Sequence, residues 1–348
     1  MSFESVVGDV RDRVIPDESE IRALEAAVEE LTDRAETAIE ALPVDADTKL
    51  VGSTARRTWL AGDRDIDLFV RFPPDLDRAD LERYGLEVGH AVLPDGHEEF
   101  AEHPYVKGEI RGFDVDCVPC YAVESATEIR SAVDRTPFHT TYLDGQIEPL
   151  ADEVRVAKAF LSGVGTYGSD LRTKGFSGFL TELLVLEYGS FRTFIESAAG
   201  WEPPVRIDPA GHGERSFDDP LVVIDPTDPE RNVAAVCSAR NVARVIHYAR
   251  ELLADPSTEF FESESPDPLS AADVRRRLGE RDTTSVAVRF ETPDIVDDQL
   301  YPQLEKSLAG IEGALGRAGF DPLRSTCFAA EDAVMFDECA VSELSAVV

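Results

Sequence analysis

A glycine–serine pair, Gly52-Ser53, precedes two acidic doublets, Asp65-Ile66-Asp67 and Asp114-Val115-Asp116. Residues i and i+2 of a β-strand share a face. Asp65 and Asp67 therefore point one way, while Ile66, Leu68 and Val70 point into a core. Asp116 sits on a second strand, Phe113 to Pro119, whose apolar content comes from Val115, Cys117 and Val118. Three carboxylates converging from neighbouring strands repel one another unless a cation intervenes. Hard divalent ions such as Mg²⁺, or Mn²⁺, take oxygen ligands, so the trio suits them. Two such ions can clamp the attacking and leaving oxygens of a phosphoryl-type displacement. Gly52-Ser53 supplies the other half: a glycine between a strand end and a helix start exposes backbone N–H groups suited to a polyphosphate. The Ser53 hydroxyl adds a donor, and Arg56, one turn later, can reach the same anion. An isolated Asp-x-Asp carries little weight in a chain with 69 acidic residues among 348, and Gly-Ser is most often a plain helix cap. Weight comes from the combination: the doublet opens an apolar strand, closely follows the Gly-Ser turn, and has a third strand-borne carboxylate downstream.

The elements that must position these groups are legible from periodicity. Asp17 can cap a helix with Glu20 at the capping-box position. Behind it Ile21, Leu24, Val28, Leu31, Ala35, Ala38 and Leu42 recur at helical spacing. Leu50-Val51 reads as a short strand, Ser53 to Leu60 as a helix, Ile66 to Phe72 as a second strand and Asp77 to Val92 as a helix. Val106 to Pro119 folds back as a hairpin around Arg111-Gly112. This βαβ-then-meander order predicts a mixed sheet with helices against it, an α+β arrangement. From Pro149 the pattern turns helical: Glu153 to Leu161, Phe176 to Phe191, and Ser238 to Leu253. Glu202 to Pro220, rich in Pro and Gly, reads as a loop, and the polar segment Asp255 to Pro268 as a domain boundary. Beyond it, strands Ser285 to Phe290 and Thr326 to Ala330 flank a helix from Leu300 to Ala318, predicting a small α+β unit.

Composition sets outer bounds. The 69 Asp and Glu face only 34 Lys and Arg, for a net charge of −35, and Lys occurs only at 49, 107, 158, 174 and 306. The acids are spread evenly, which reads as the habit of a salt-in halophile rather than as an acidic tail. At 1 M salt the Debye length is about 3 Å, so self-repulsion is screened. Such a charge opposes nucleic-acid binding in dilute buffer, but molar salt weakens phosphate attraction for every protein. An RNA binder of this kind must rely on shape, hydrogen bonds and local Arg residues. No apolar run is long enough to span a membrane, and the start of the chain lacks a secretory pattern, so the expected compartment is the cytoplasm. Five cysteines, an odd number, suit a reducing environment. Cys117-Val118-Pro119-Cys120 has no partner pair and reads as strand-end packing, because structural zinc wants four ligands.

The run Gly52-Ser53-Thr54-Ala55-Arg56-Arg57-Thr58-Trp59-Leu60, continuing through Asp65-Ile66-Asp67-Leu68-Phe69, resembles the signature of the archaeal (class I) CCA-adding tRNA nucleotidyltransferases. Further blocks match in family order: His103-Pro104-Tyr105, Asp134 to His139, Lys174 to Gly178, Arg231 to Ala235, and Pro293 to Leu304. Gly-Ser with Asp-x-Asp alone would mark only the wider polymerase-β-like superfamily. The resemblance implies a polymerase-β-like catalytic head over 1–145, a helical neck that binds the nucleotide base over 146–256, and part of an α+β, RNA-binding body domain over 257–348. It implies that Asp65, Asp67 and Asp116 hold the metals and that Gly52, Ser53 and Arg56 grip the triphosphate. His139, Lys158 and Tyr167 would contact the incoming nucleotide, and Arg231 would help read its base. Read without it, His139 is a buried structural histidine, Lys158 a snorkelling helix residue and Tyr167 a loop packing group.

The expected reaction is template-free addition of C, C and A, from CTP and ATP, to the 3′ end of tRNA. A homodimer is compatible with the sequence. Two departures stand out. Asp65 occupies a position where many members carry Glu, and the family continues beyond the point matching Val348 with a tail domain and a return into the body. Two other readings remain: a related nucleotidyltransferase, such as an oligoadenylate synthase or a small-molecule adenylyltransferase, and an RNA-binding protein without turnover.

Overall fold

The computed structural model describes residues 1–263 and 269–341. The chain forms two compact units: Met1–Gly168 with Gly175–Ser263, and Ser169–Lys174 with the chain from residue 264 onward. The expected boundary segment Asp255 to Pro268 straddles this division, and its 264–268 portion lies outside the described residues, as do residues 342–348 of the expected body domain.

The first unit begins with α1 (Phe3–Val14) and α2 (Glu18–Glu40). Asp17 caps α2 in the expected capping box, accepting from the Ser19 and Glu20 amides while Glu20 receives the Asp17 amide. A sheet follows, built from β1 (Asp47–Val51), the single turn α3 (Gly52–Ala55), β2 (Asp65–Phe72), α4 (Arg78–Val92), β3 (His97–Phe100), β4 (Pro104–Ile110) and β5 (Phe113–Tyr121). Its strand order is β1-β2-β5-β4-β3, with β2 and β5 parallel and the other pairs antiparallel. The sheet is mixed, as expected, and the β4–β5 hairpin turns at Arg111-Gly112, both with positive φ. Two expectations are corrected. β1 and β2 are antiparallel and so do not form a βαβ crossover. The helix expected over Ser53 to Leu60 stops after one turn, because Arg57 takes φ 56° and the Thr58 amide closes back on the Ser53 carbonyl. Thr58 and Trp59 are then free to be buried by tertiary contacts. Ile66, Leu68, Val70, Val115 and Cys117 enter a core with Leu24, Leu31 and Val88 of α2 and α4. The i, i+2 rule thus leaves Asp65 and Asp67 on the opposite face.

A second core within the unit gathers α5 (Thr136–Leu143), α6 (Ala151–Gly163), α7 (Gly178–Tyr188), α8 (Phe191–Ala199), strands β6 (Val205–Ile207) and β7 (Leu221–Asp225), and α9 (Ala239–Ala254), with β8 (Asp228–Asn232) paired antiparallel to β7. Phe3, Val6 and Val10 of α1 pack into it, so the first helix of the chain joins elements far away in sequence. The helix expected from Phe176 to Phe191 is two helices: Gly189 at φ 77° ends α7, and Ser190 caps α8. The loop expected over Glu202 to Pro220 contains β6, which pairs in parallel with β7. Such three- to five-residue strands are too short for periodicity to announce.

The second unit contains α10 (Ala271–Arg281), β9 (Thr284–Glu291), α11 (Asp297–Arg317), β10 (Phe320–Ala329) and β11 (Asp332–Val341). Its antiparallel sheet has the order β10-β11-β9. Leu300 and Leu304 of α11 cover Ala333 and Phe290. This is the small α+β unit expected from sequence, with α10 and β11 added.

Candidate active site

The register between β2 and β5 decides whether the carboxylates meet. Asp67 lies directly opposite Asp116, and Asp65 opposite Asp114, on parallel neighbouring strands. Adjacent parallel strands lie about 4.8 Å apart, so Asp65, Asp67 and Asp116 share one face at close range. Burial raises the pKa of Asp67 to about 6, and the neighbouring charges of Asp116 and Asp65 push the same way. Asp65 is likewise raised by burial, then by Asp63 and Asp114. Burial raises Asp116 too, opposed by Lys107, whose Nζ lies 3.3 Å from Asp116 Oδ1. Among the described residues no group of three His, Cys, Asp or Glu side chains is closed up as an ion's ligand set would be. The triad is an open cluster of hard oxygen donors under mutual repulsion, with Lys107 and Arg56 as nearby cations. Its chemistry fits a divalent ion.

β1 delivers the Gly-Ser turn to the same place. Val51, its last residue, pairs with Asp67, and Gly52 follows at φ +71°. A Cβ at Gly52 would overlap the Asp67 carboxylate, so only glycine lets the turn and the acid pack this closely. The Thr54 hydroxyl donates to the Asp65 carbonyl at 2.8 Å and pins α3 onto β2. Ser53 stands partly exposed beside this junction.

Arg56 leaves this turn and enters a buried knot. Its Nε donates to Glu182 Oε2 at 2.8 Å and its Nη1 to Thr140 Oγ1 at 3.2 Å. Glu182 on α7 has no solvent exposure, yet it also accepts from the Thr58 hydroxyl. Lys158 Nζ donates to the Thr58 carbonyl at 2.9 Å and lies 3.9 Å from Glu182. Burial lowers the Lys158 pKa, against the pull of Glu182. Tyr167 is raised by burial and then by Glu182, and its backbone bridges Phe176. In this conformation Lys158 and Arg56 are thus held by protein groups around Glu182.

His139 and Arg231 converge on another buried acid. Asp225, the last residue of β7, accepts from His139 Nε2 at 2.8 Å and from Arg231 Nη1 at 2.8 Å. The imidazole stacks on Phe179, with ring centroids 3.8 Å apart and planes at 11°. Thr140, the next residue on α5, is the one that receives Arg56, so α5 ties the two clusters together.

The ten expected site residues therefore fall into linked groups. Gly52, Ser53, Asp65, Asp67 and Asp116 gather where β1 ends and the interior strands β2 and β5 begin; Arg56, Lys158 and Tyr167 surround Glu182; His139 and Arg231 share Asp225. Sequence reading missed Lys107, Glu182 and Asp225. Each had a signal. The hairpin turn at Arg111-Gly112 counts back to a pairing of Lys107 with Asp116; Glu182 is the lone acid between Phe179 and Leu186; and Asp225 ends the apolar run Leu221–Ile224. Cys117 and Cys120 are free and buried in different clusters, consistent with packing.

Three sequence families match the chain: a nucleotidyltransferase domain over residues 33–139, a tRNA nucleotidyltransferase second domain over 152–262, and a CCA-adding enzyme C-terminal domain over 281–348. A CCA-adding enzyme of Haloarcula marismortui is 61% identical over 331 residues, covering 95% of this chain and 71% of the relative. That of Halobacterium salinarum is 60% identical over 344 residues, covering 99% and 76%. The Archaeoglobus fulgidus enzyme is 42% identical over 348 residues, covering 100% and 78%. Among solved structures, E. coli MS115-1 CdnC with ATP shares the fold at TM-score 0.56 and 19% identity, covering 74% of this chain and 94% of that one. The Cid1 poly(U) polymerase does so at TM-score 0.56 and 15% identity, covering 75% and 99%. No helix among the described residues is long and apolar enough to cross a membrane.

Proposed function

The chain belongs to the archaeal CCA-adding enzymes, a family of tRNA nucleotidyltransferases, and on that premise we propose which of its residues carry the reaction. The substrates are tRNA, CTP and ATP, and the reaction needs a divalent ion, for which we propose Mg²⁺. Asp65, Asp67 and Asp116 would hold it. When bound, it would offset the charge of the triphosphate and acidify the attacking 3′-hydroxyl. Asp116, partly exposed on β5, takes up the proton of that hydroxyl as the oxygen attacks the nucleotide α-phosphate. Pyrophosphate departs with its charge met by the Ser53 hydroxyl, the amides of the Gly52 turn and Arg56. Lys158 and Tyr167, around Glu182, keep Arg56 aimed, and His139 and Arg231 face the base. We assign the catalytic head to 1–145, the base-binding neck to 146–256 and the RNA-binding part of the body to 257–348, with the enzyme acting in the cytoplasm. The observation that carries this reading is the pairing of Asp67 with Asp116 beside the Gly52 turn.

Incubated in molar KCl with Mg²⁺ and a tRNA lacking its terminal CCA, the chain is expected to add labelled CTP and then ATP, and to leave UTP unused. Gel-resolved single-nucleotide products check this. Binding of the tRNA without any Mg²⁺-dependent extension would defeat the reading and favour a protein that binds RNA without turnover.

Gly52→Ala is expected to lower CTP incorporation by roughly tenfold to a hundredfold, about 1.4–2.7 kcal/mol in the barrier. The added methyl group must displace the Asp67 carboxylate. Steady-state rates beside thermal melts separate this from unfolding. Activity near wild type would show that the turn and the acid need not touch.

A further inference from the structure

We infer that Asp225 is the positioning residue of the base-binding side of the site: it holds Arg231, a donor, and His139, whose free Nδ1 accepts, in one fixed hydrogen-bonding array, and nucleotide affinity and base choice depend on that array. The inference rests on the enzymatic reading above, in which those two side chains face the incoming base.

Asp225 is fully buried at the C-terminal end of β7, so it has no exposed surface with which to meet a ligand itself. Its Oδ1 is occupied by the Thr227 amide at 2.9 Å and hydroxyl at 2.7 Å, which lock the carboxylate to the turn between β7 and β8. Its Oδ2 receives His139 Nε2 and Arg231 Nη1, both at 2.8 Å, and faces Arg135 Nε at 4.0 Å. Three elements thus meet at one oxygen: the segment leading into α5, α5 itself, and β8.

The chemistry of each partner follows. His139 uses Nε2–H toward Asp225, which leaves Nδ1 as the free ring nitrogen. The 3.8 Å stack on Phe179 prevents the ring from turning away. Arg231 spends one N–H edge on Asp225, while its side chain keeps 34% exposure, so the rest of the guanidinium fork remains available. An arginine held at one edge presents the others in a fixed plane, which a ligand with matched acceptors can recognise. Without the carboxylate the same arginine becomes a mobile surface cation. It would still attract a nucleotide but would discriminate poorly between bases.

The test uses the full chain and single-nucleotide addition to tRNA lacking its CCA end, with KM, kcat and the CTP-to-UTP incorporation ratio as readouts. Arg231→Ala is expected to raise the KM for CTP about tenfold or more, the loss of one charge-assisted hydrogen bond. The kcat at saturation should stay within about threefold, because base contacts are made equally in the ground state and the transition state. Asp225→Asn should show the same split and a raised share of UTP. If it fails to fold, Asp225→Glu, which keeps the charge but shifts the oxygen, carries the same expectation. The double variant Asp225→Asn, Arg231→Ala should raise the KM by clearly less than the product of the two single effects, since Asp225 acts on Arg231 and only its hold on His139 remains to be lost. Multiplying effects in the double variant, an unchanged KM in Arg231→Ala, or a fall in kcat alone would overturn the inference. Failure of wild type to add CTP would instead defeat the enzymatic reading on which it rests.

Discussion

Asp67→Asn is expected to abolish CTP incorporation to at least about a thousandfold, roughly 4 kcal/mol in the barrier, and at the same time to make the ion-free protein harder to melt at pH 8. The two effects come from one geometry. Asp67 is wedged between the Gly52 turn and Asp116, where burial and its acidic neighbours raise its pKa to about 6 from 3.8. Below about pH 4 the folded and unfolded chains hold this proton alike, and the site carries no penalty. As the pH rises through 6, the folded chain must give up a proton it binds more tightly than the unfolded chain did, so stability falls. Above that window the penalty is on the order of 2–3 kcal/mol. Asparagine keeps the shape and cannot ionise, so the variant escapes the penalty. Thermal melts in chelator at pH 5 and pH 8 should show the wild type falling behind the variant at the higher pH. Added Mg²⁺ should stabilise the wild type and leave the variant unchanged, because ion binding to the folded state alone raises stability. Activity within about threefold of wild type, or wild-type melts unmoved by Mg²⁺, would contradict the assignment of Asp67 to the ion site, and equal melts of wild type and variant at both pH values would contradict its raised pKa.

Glu182→Ala should cost about 3–5 kcal/mol of stability by chemical denaturation in molar KCl. Glu182 is fully buried and faces Arg56, the Thr58 hydroxyl and Lys158. Removing it leaves two buried cations without their acid, which is far more costly than the worth of any single pair. Glu182→Gln keeps the volume and the hydrogen-bonding atoms, so its loss should be smaller. Because Arg56 is aimed by Glu182, residual folded enzyme of either variant should also have a raised KM for CTP. A denaturation midpoint unchanged in Glu182→Ala would mean that Arg56 and Lys158 reach solvent without strain.

These cases divide cleanly between what is local and what is not. The alternation in Asp65 to Val70 is a property of strand geometry, so it put the two acids on one face before any fold was known. The capping box at Asp17 and Glu20, the β4–β5 turn at Arg111-Gly112 and the long periodic helix α2 were legible for the same reason: their partners lie within a few residues. The breaks were misjudged where a side chain answers to distant groups. Thr58 reads as helical by neighbourhood, but Glu182 and Lys158 draw it out of the helix. Ser190 reads as the interior of one helix, while Gly189 ends it.

The sequence by itself determined the carboxylate face, the glycine–serine turn, the mixed-sheet class and, through its ordered blocks, the family. Tertiary structure alone decided that Asp67 stands opposite Asp116, that Glu182 receives Arg56, and that Asp225 receives His139, each from far along the chain. The physical reason is range. Backbone periodicity and capping act over a few residues, whereas strand register and buried charge pairing are settled only when elements some hundred residues apart exclude water together.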